Sequence, residues 1–364
     1  MELYIHIPFC KKKCDYCDFY SIMPCEKYNL EKFIPSLIKE IQLAGNKYKD
    51  RQITTIFIGG GTPSLLSNSN LDLIFKTLHE SFNLSSVEEI TIESNPESIT
   101  EDFLKHCRAL SINRISIGIQ SLLDDNLKAV GRVHDKKTAL ESLKLTNKYF
   151  DKVSADLIIG LPYDTKKVVK DEINELAKYV NHMSCYELML NPETKLYKNI
   201  KEKKISVPND DEVAALFDVA VETLKSNGFT RYEVSNFSKT HISKHNMGYW
   251  MREEYLGFGP SAHSFIKEDN ECRFANPEDI ESYINIINNA KTYPFMDIEI
   301  LSQKDINEEK IFLSLRTNKG IAKSYFSKDQ LEKFKDFIIV DGDNVRLNDK
   351  GFAVMDSITI DLFP

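Results

Sequence analysis

Residues 4–17 read YIHIPFCKKKCDYC, a short strand-like run that leads directly into three closely spaced cysteines, Cys10, Cys14 and Cys17. These three lie within eight residues, whereas the other four of the seven cysteines are dispersed along the chain. An isolated cysteine is commonly a small buried hydrophobe. The clustering instead predicts that three thiols converge on one group, which requires a loop because a strand would point neighbouring side chains apart.

The C-x3-C-x2-C spacing bears on the kind of metal centre. A closed zinc site takes four ligands, commonly as two separate pairs, and no second cysteine pair follows here. Three thiolates on a cubane cluster of four irons would leave one iron open to an added chelator. The lysines at 11–13 would favour thiolates and an anionic cluster. The spacing therefore favours an iron–sulfur cluster, with a redox-inert structural protein holding a metal on the triplet as the rival.

The composition of the whole chain is that of an ordinary globular protein. Its 364 residues are 42% hydrophobic and 28% charged, which excludes a disordered, collagen-like or disulfide-stapled chain. With 47 basic and 55 acidic residues the net charge is −8, so nothing in the overall charge predicts a nucleic-acid partner. No run of about 18 apolar residues and no secretory signal are present. We therefore expect a cytoplasmic protein that is not an integral membrane protein, with its cysteines outside disulfides.

Six β-branched runs alternate with amphipathic segments in the first part of the chain, as in the helical stripe over 30–44. The predicted strands are 4–8, 53–58, 89–93, 114–119, 153–159 and 184–190. Such alternation predicts βα units and a parallel sheet, either an open doubly wound sheet or one that curls towards a barrel. Periodicity alone leaves both open.

Polar residues stand at or just beyond the ends of these strands, the edge where α/β proteins build their sites. The run GGGTP at 59–63 permits a close backbone approach to a ligand, and it lacks the lysine of a phosphate-binding P-loop. Glu93, Gln120 and Asp156 follow on successive strands, and Arg132 can anchor a carboxylate. Each carboxylate alone would also be explained by a salt bridge or a cap.

The pattern changes near residue 230, and we divide the chain there into three parts. Residues 1–230 form the predicted core, 231–300 a connecting region with few regular patterns, and 301–364 a small C-terminal domain. In the last part, two predicted helices precede a hairpin turned by Asp341 and Gly342, and a further helix is predicted over 350–358. This order predicts a winged-helix-like α+β fold.

A cluster on C-x3-C-x2-C, followed one strand later by a glycine motif, resembles the radical S-adenosylmethionine (SAM) superfamily. That resemblance implies an incomplete (β/α)6 barrel, a [4Fe–4S] cluster on Cys10, Cys14 and Cys17, and SAM on its open iron. Reduction of the cluster would cleave SAM to a radical.

The order of YIHIPFC, GGGTP, ESNP at 93–96, SIGIQS at 116–121 and DLIIGLP at 156–162 is similar to that in oxygen-independent coproporphyrinogen III oxidases and their relatives. The resemblance implies that the C-terminal domain is of the kind found in those oxidases, that His6 lies near the cluster, and that the GPSAHS run at 259–264 helps to close the pocket. It assigns no catalytic residue. It implies a SAM pocket lined by Tyr4, Tyr16, Gly60, Gly61, Thr62, Glu93, Gln120, Arg132 and Asp156.

Within that family, His245-Asn-Met-Gly-Tyr-Trp250 resembles the HNxxYW pattern of a haem-chaperone branch. The resemblance implies haem as a further cofactor, with His245 as a candidate axial ligand and Met247 as the alternative. Phe19 stands where the oxidases often have a fourth cysteine, and only 1–3 precede the first strand where they carry an extension. We therefore expect the chaperone branch, with oxidative decarboxylation of coproporphyrinogen III as the rival activity.

The partners implied by the chaperone branch are haem, haem-accepting membrane proteins such as respiratory enzymes, and a low-potential electron donor such as flavodoxin or ferredoxin.

Overall fold

The computed structural model of the protein describes residues 1–363. Its strands are β1 Glu2–Ile7, β2 Thr55–Gly60, β3 Glu89–Ser94, β4 Arg114–Gln120, β5 Lys152–Ile159, β6 His182–Glu187, β7 Thr230–Arg231, β8 Asn236–Ser238, β9 Tyr255–Phe258, β10 His263–Lys267, β11 Glu271–Ala275, β12 Glu299–Ile300, β13 Ile321–Ala322, β14 Ile338–Asp341 and β15 Asn344–Leu347. Its helices are α1 Leu30–Tyr48, α2 Asn68–Ser81, α3 Glu101–Ala109, α4 Asp124–Ala129, α5 Lys136–Thr146, α6 Lys166–Leu176, α7 Lys195–Lys201, α8 Asp210–Ser226, α9 Lys244–Trp250, α10 Ile280–Asn289, α11 Gln303–Leu315, α12 Lys328–Lys333, α13 Asp349–Ala353 and α14 Met355–Leu362.

The first six strands lie side by side in chain order and pair in parallel, with helices in the connections. This confirms the predicted α/β class. All six predicted strands are present, with ends that differ by a few residues. Strand β6 ends at Glu187, three residues before the predicted end, because the chain then turns into the loop before α7.

Helices pack on the outside of the parallel sheet because each carries one apolar face. In α1, Phe33, Leu37 and Ile41 are fully buried and recur at helical spacing. Asn29 caps this helix by accepting a hydrogen bond from the Lys32 amide. These helices join the sheet in one hydrophobic core that extends from Leu3 to Tyr293.

The second part of the chain extends this same sheet. Strand β9 pairs in parallel with β1, so that Glu2 lies opposite Tyr255, and β10, β11 and β12 follow as antiparallel neighbours. At the other edge β8 pairs with β6 and β7 with β8. The predicted division at residue 230 therefore does not coincide with a break in the sheet.

The C-terminal residues form a small unit with its own core. Helices α11 to α14 surround a three-stranded antiparallel sheet in the order β13-β15-β14, and its apolar cluster runs from Ile311 to Leu362. The predicted hairpin is present, with Gly342 at a φ of 58° in the turn. The predicted last helix is instead two, α13 and α14, which meet at Val354. The winged-helix likeness stays a prediction.

Within residues 1–363, no helix combines the length and the apolar character needed to cross a membrane.

Candidate functional site

The three clustered cysteines occupy an irregular loop between β1 and α1, as the spacing predicts. Backbone hydrogen bonds fasten the loop at both ends and in its middle. The Cys10 amide donates to the Ile22 carbonyl at 3.0 Å, and the Asp15 amide donates to the Val130 carbonyl at 3.0 Å. The Asp15 carbonyl in turn accepts from the Leu196 amide at 2.7 Å. The loop has no regular secondary structure of its own, and hydrogen bonds to distant parts of the chain hold it in place.

All three thiols are free and border one cavity of about 330 Å³ at the carboxyl edge of the parallel sheet, the cluster cavity. Among residues 1–363, no three His, Cys, Asp or Glu side chains stand close enough to hold a single metal ion. The thiols therefore surround a space and do not form a compact one-ion site. Three thiols around one cavity fit an iron–sulfur cluster, because thiolates are the usual ligands of such clusters.

A chain of polar contacts links two of the cysteines across the cavity wall. Thr62 donates from its hydroxyl to Cys10 Sγ at 3.4 Å and accepts from Asn95 Nδ2 at 3.0 Å. The Asn95 Oδ1 atom accepts from Arg132 at 2.9 Å, and Arg132 Nη1 donates to Cys14 Sγ at 3.5 Å. Arg132 therefore contacts the cysteine loop directly. Asn95 was not predicted as a site residue, although it belongs to the ESNP motif.

The glycine-rich run lets β2 approach the start of the cysteine loop closely. Gly60 has a φ of 103°, which a side chain rarely adopts, and a Cβ there would lie 2.6 Å from the His6 ring. A Cβ on Gly61 would lie 2.6 Å from the Phe9 carbonyl oxygen. The Thr62 amide donates to that same carbonyl at 2.8 Å. The run therefore positions the cavity floor against β1.

Two carboxyl groups, on β3 and β5 at either side of β4, face the cluster cavity. Burial, and after it the nearby Asp156 carboxylate, raises the pKa of Glu93 to about 8. Burial also raises the pKa of Asp156, which accepts a hydrogen bond from Ser116 at 3.3 Å. Asp156 lies within β5, not beyond its end. Two poorly solvated carboxyls are suited to a cationic ligand group, because an ammonium would restore their charged form.

The raised pKa of Glu93 predicts a pH-dependent stability. The folded state retains a proton that the unfolded state, with a pKa of 4.5, has lost. The difference in free energy of unfolding between wild type and Glu93→Gln therefore favours wild type most below pH 4.5. That advantage is lost as the pH rises through about 8. Denaturant unfolding of both proteins without SAM, at several pH values, measures this difference. A constant difference between pH 5 and 9 would contradict it.

Further groups in the cluster cavity lack partners or are strained. Ser94 Oγ and Arg132 Nε are buried and have no hydrogen-bond partner among residues 1–363, as expected where a polar ligand would complete the site. Gln120 ends β4 with a φ of 66°, a conformation uncommon outside glycine, next to an irregular step in its pairing with β5. Such strain tends to accumulate at ligand sites.

Most predicted cofactor residues come together at this cavity. Thr62 is buried and does not line it, and Tyr4 instead borders a second, adjoining cavity. The predicted residues that line the cluster cavity are Cys10, Cys14, Tyr16, Cys17, Gly60, Gly61, Glu93, Gln120, Arg132 and Asp156.

A second cavity, of about 560 Å³, lies next to the first and shares Asp18 and Phe19 with it. Its wall is largely aromatic, and its charged groups are Asp18, Arg252, Arg273 and Glu309. Helix α9 borders both cavities, because Asn246 faces the cluster cavity while Tyr249 and Trp250 line the second. The second cavity is lined by Tyr4, His6, Asp18, Phe19, Tyr20, Tyr249, Trp250, Arg252, Tyr255, Ser261, His263, Phe265, Arg273, Glu309 and Leu313.

The structure argues against His245 as a ligand to iron. Its side chain is 1% exposed, and both ring nitrogens are engaged. Nδ1 lies 2.7 Å from the Thr55 hydroxyl and Nε2 lies 2.8 Å from the Tyr249 hydroxyl. Burial lowers the pKa of His245 to about 3, and the ring stacks on Phe57. Met247, the alternative, is also buried.

An unclosed run of six parallel strands with a three-cysteine loop after the first strand defines the class of radical SAM proteins. The model of the radical SAM superfamily matches residues 4–178. Membership of that superfamily implies a [4Fe–4S] cluster and SAM as cofactors.

The curated relatives place the chain more closely. It is 34% identical to "Heme chaperone HemW" of Bacillus subtilis over 89% of this chain and 86% of that protein. It is 31% identical to the protein of the same name from Lactococcus lactis, over 98% and 95%. It is 32% identical to "Radical S-adenosyl methionine domain-containing protein 1, mitochondrial" of Danio rerio, over 98% and 85%. The chain belongs to the HemW family of radical SAM proteins.

Among solved structures, coproporphyrinogen III oxidase (HemN) of Escherichia coli matches with a TM-score of 0.85 and 22% identity, over 100% of this chain and 89% of that chain. At this identity the match shows a shared fold.

Proposed function

We propose that this protein is a haem chaperone that binds haem beside a SAM-ligated [4Fe–4S] cluster and delivers it to haem-dependent membrane proteins such as respiratory enzymes. The observation that carries the proposal is the pair of adjoining cavities. One is bordered by three thiols and two half-buried carboxyls, and the other is wide and aromatic. Its placement in the cytoplasm is part of the same proposal.

Cys10, Cys14 and Cys17 would hold the cluster, and the remaining iron would take the amino and carboxylate groups of SAM. When bound and reduced, this centre supplies one electron for the cleavage of SAM. Glu93 and Asp156 would face the cationic part of SAM and Arg132 its carboxylate, since guanidinium groups pair well with carboxylates. The partnerless Ser94 and Arg132 atoms support a polar ligand at this place.

An electron donor of low potential, such as flavodoxin or ferredoxin, would dock at the cysteine loop. Lys11, Lys12 and Lys13 are all exposed there, and Phe19 is 67% exposed beside them. A basic and apolar rim of this kind would steer an acidic partner towards the cluster, and such attraction weakens with salt.

A paired assay on anaerobically reconstituted protein tests the proposal. We expect haem to bind with a defined stoichiometry, and we expect no sustained formation of protoporphyrinogen from coproporphyrinogen III with SAM and a low-potential reductant. Transfer of the bound haem to a haem-free acceptor enzyme in membrane vesicles tests delivery. Sustained oxidase turnover without stoichiometric haem binding would overturn the proposal in favour of the coproporphyrinogen oxidase activity.

A further inference from the structure

The second cavity contains one imidazole that is free to bind a metal. His263 is the first residue of β10, is exposed, and makes no side-chain hydrogen bond to any residue in 1–363. His6, the other histidine of this cavity, is occupied at both nitrogens, by the Tyr4 hydroxyl at 3.0 Å and the Tyr20 carbonyl at 2.9 Å. His245 behind the wall is occupied as well.

The backbone of His263 is firmly placed. It pairs with Ala275 across β10 and β11, and the loop before it is fixed by Glu40, which accepts from the Gly259 amide at 2.9 Å and from Asn276 at 2.6 Å. A ligand on a rigid element needs little reorganisation to bind. The ring of His263 is therefore held at the cavity while its nitrogens remain available.

The rest of the cavity suits a flat ligand with carboxylates. Its volume of about 560 Å³ lies within the range of about 300–1,000 Å³ usual for small-molecule sites. Trp250 provides a large planar surface, and its buried Nε1 atom has no hydrogen-bond partner within the described chain, residues 1–363. Arg316, which does not line the cavity, lies over the indole with its guanidinium carbon 4.5 Å from the ring centre. The free indole donor can be satisfied by a ligand oxygen.

The charges in the cavity are balanced, and one cation is accessible. Glu309 pairs with both Arg252 and Arg273, and Arg252 is almost fully buried in this network. The Arg273 side chain is 33% exposed. Its second ion pair, with Glu299, is longer, at 3.4 Å. An entering carboxylate can therefore pair with Arg273 without breaking the buried Arg252 pair.

We propose that haem occupies the second cavity with the imidazole of His263 as its axial ligand and a propionate near Arg273. This deepens the proposed function, on which it rests. His245 then has a positioning role: its hydrogen bond to the Tyr249 hydroxyl fixes one wall of the haem site without contact with the iron.

Haem titration of the cluster-loaded protein, followed by optical and resonance Raman spectroscopy, tests this assignment. All variants are made in a Cys25→Ala background, because Cys25 is an exposed thiol that can itself bind haem iron. We expect His263→Ala to weaken haem binding at least tenfold and to lose the imidazole-ligated spectrum, and added imidazole to restore that spectrum. The matched control, His241→Ala, removes an exposed histidine outside both cavities and is expected to change neither property.

The variant His245→Ala distinguishes the positioning role of His245 from iron ligation by His263. We expect it to keep the imidazole-ligated spectrum with a weaker affinity. Loss of that spectrum in His245→Ala, with His263→Ala unchanged, would overturn the assignment while leaving haem binding intact. Absence of stoichiometric haem binding by the unmutated protein would overturn the proposed function itself.

Discussion

Replacing Cys10, Cys14 and Cys17 together by alanine is expected to reduce the iron bound after anaerobic reconstitution almost to zero and to abolish the broad absorption near ~400 nm. The three thiols border one cavity, and no other cysteine lines it. Each single replacement is expected to lose most of the cluster, because two thiolates hold a cubane poorly. Metal analysis and electron paramagnetic resonance with and without SAM measure both the cluster and its response to the cofactor.

The control for this experiment is Cys272→Ala, which removes a half-buried thiol on β11 that does not line the cluster cavity. It is expected to retain a cluster whose resonance changes when SAM is added. A wild-type protein that binds zinc alone, or a triple variant that keeps its iron, would contradict the assignment of the cysteines and favour the structural rival.

The largest effect on stability is expected for Glu40→Ala. The Glu40 carboxyl is fully buried between α1 and the loop before β10, and it accepts hydrogen bonds from the Gly259 amide, Asn276 and Tyr283 at 2.9, 2.6 and 2.6 Å. Alanine would leave the Gly259 amide and the Tyr283 hydroxyl without the Glu40 acceptor, would leave Asn276 Nδ2 with the Gly259 carbonyl alone at 2.8 Å, and would open a void beside them. Each unpaired group costs about 1–3 kcal/mol, so we expect the free energy of unfolding to fall by about 3–5 kcal/mol.

Chemical denaturation under anaerobic conditions measures this loss. Tyr283→Phe removes one of the donors and is expected to cost about 1 kcal/mol. Glu31→Ala, in the exposed first turn of the same helix, is expected to cost only about 0.3–1 kcal/mol through its weaker interaction with the helix dipole. If Glu40→Ala stayed within about 1 kcal/mol of the wild type, the three hydrogen bonds would have no net role in holding the loop.

Much of the barrel and of the cluster cavity can be predicted from the sequence because local patterns encode them. The β-branched runs at β1 to β6 and the apolar stripe of α1 carry the periodicity of their elements. The cavity residues lie at the ends of those strands, so a parallel sheet brings them together without further information. Asp156 differs from the other cavity residues in position, because it lies inside β5 and not at its end, and it still faces the cavity.

The second cavity could not be predicted in this way. It is assembled from β1, α9, β10, β11 and α11, which are separated by up to about 300 residues and carry no common period. The short strands β8 and β9 join the sheet through pairing with distant strands, which an irregular aromatic sequence does not reveal. The same limit explains His245: the HNxxYW pattern shows a histidine, but only its contacts with Thr55 and Tyr249 show that it is enclosed.

If the proposed function holds, the wall common to both cavities would lie between the two ligands, where a shift caused by one would reach the other. Asp18 and Phe19 directly follow Cys17, so the segment that separates the cavities is tethered to a cluster ligand. By reciprocity, whatever the assembled cluster does to the affinity for haem, haem does equally to the retention of the cluster. Under the proposed function, and with such coupling, oxygen damage that dismantles the metal centre would also change the affinity for haem.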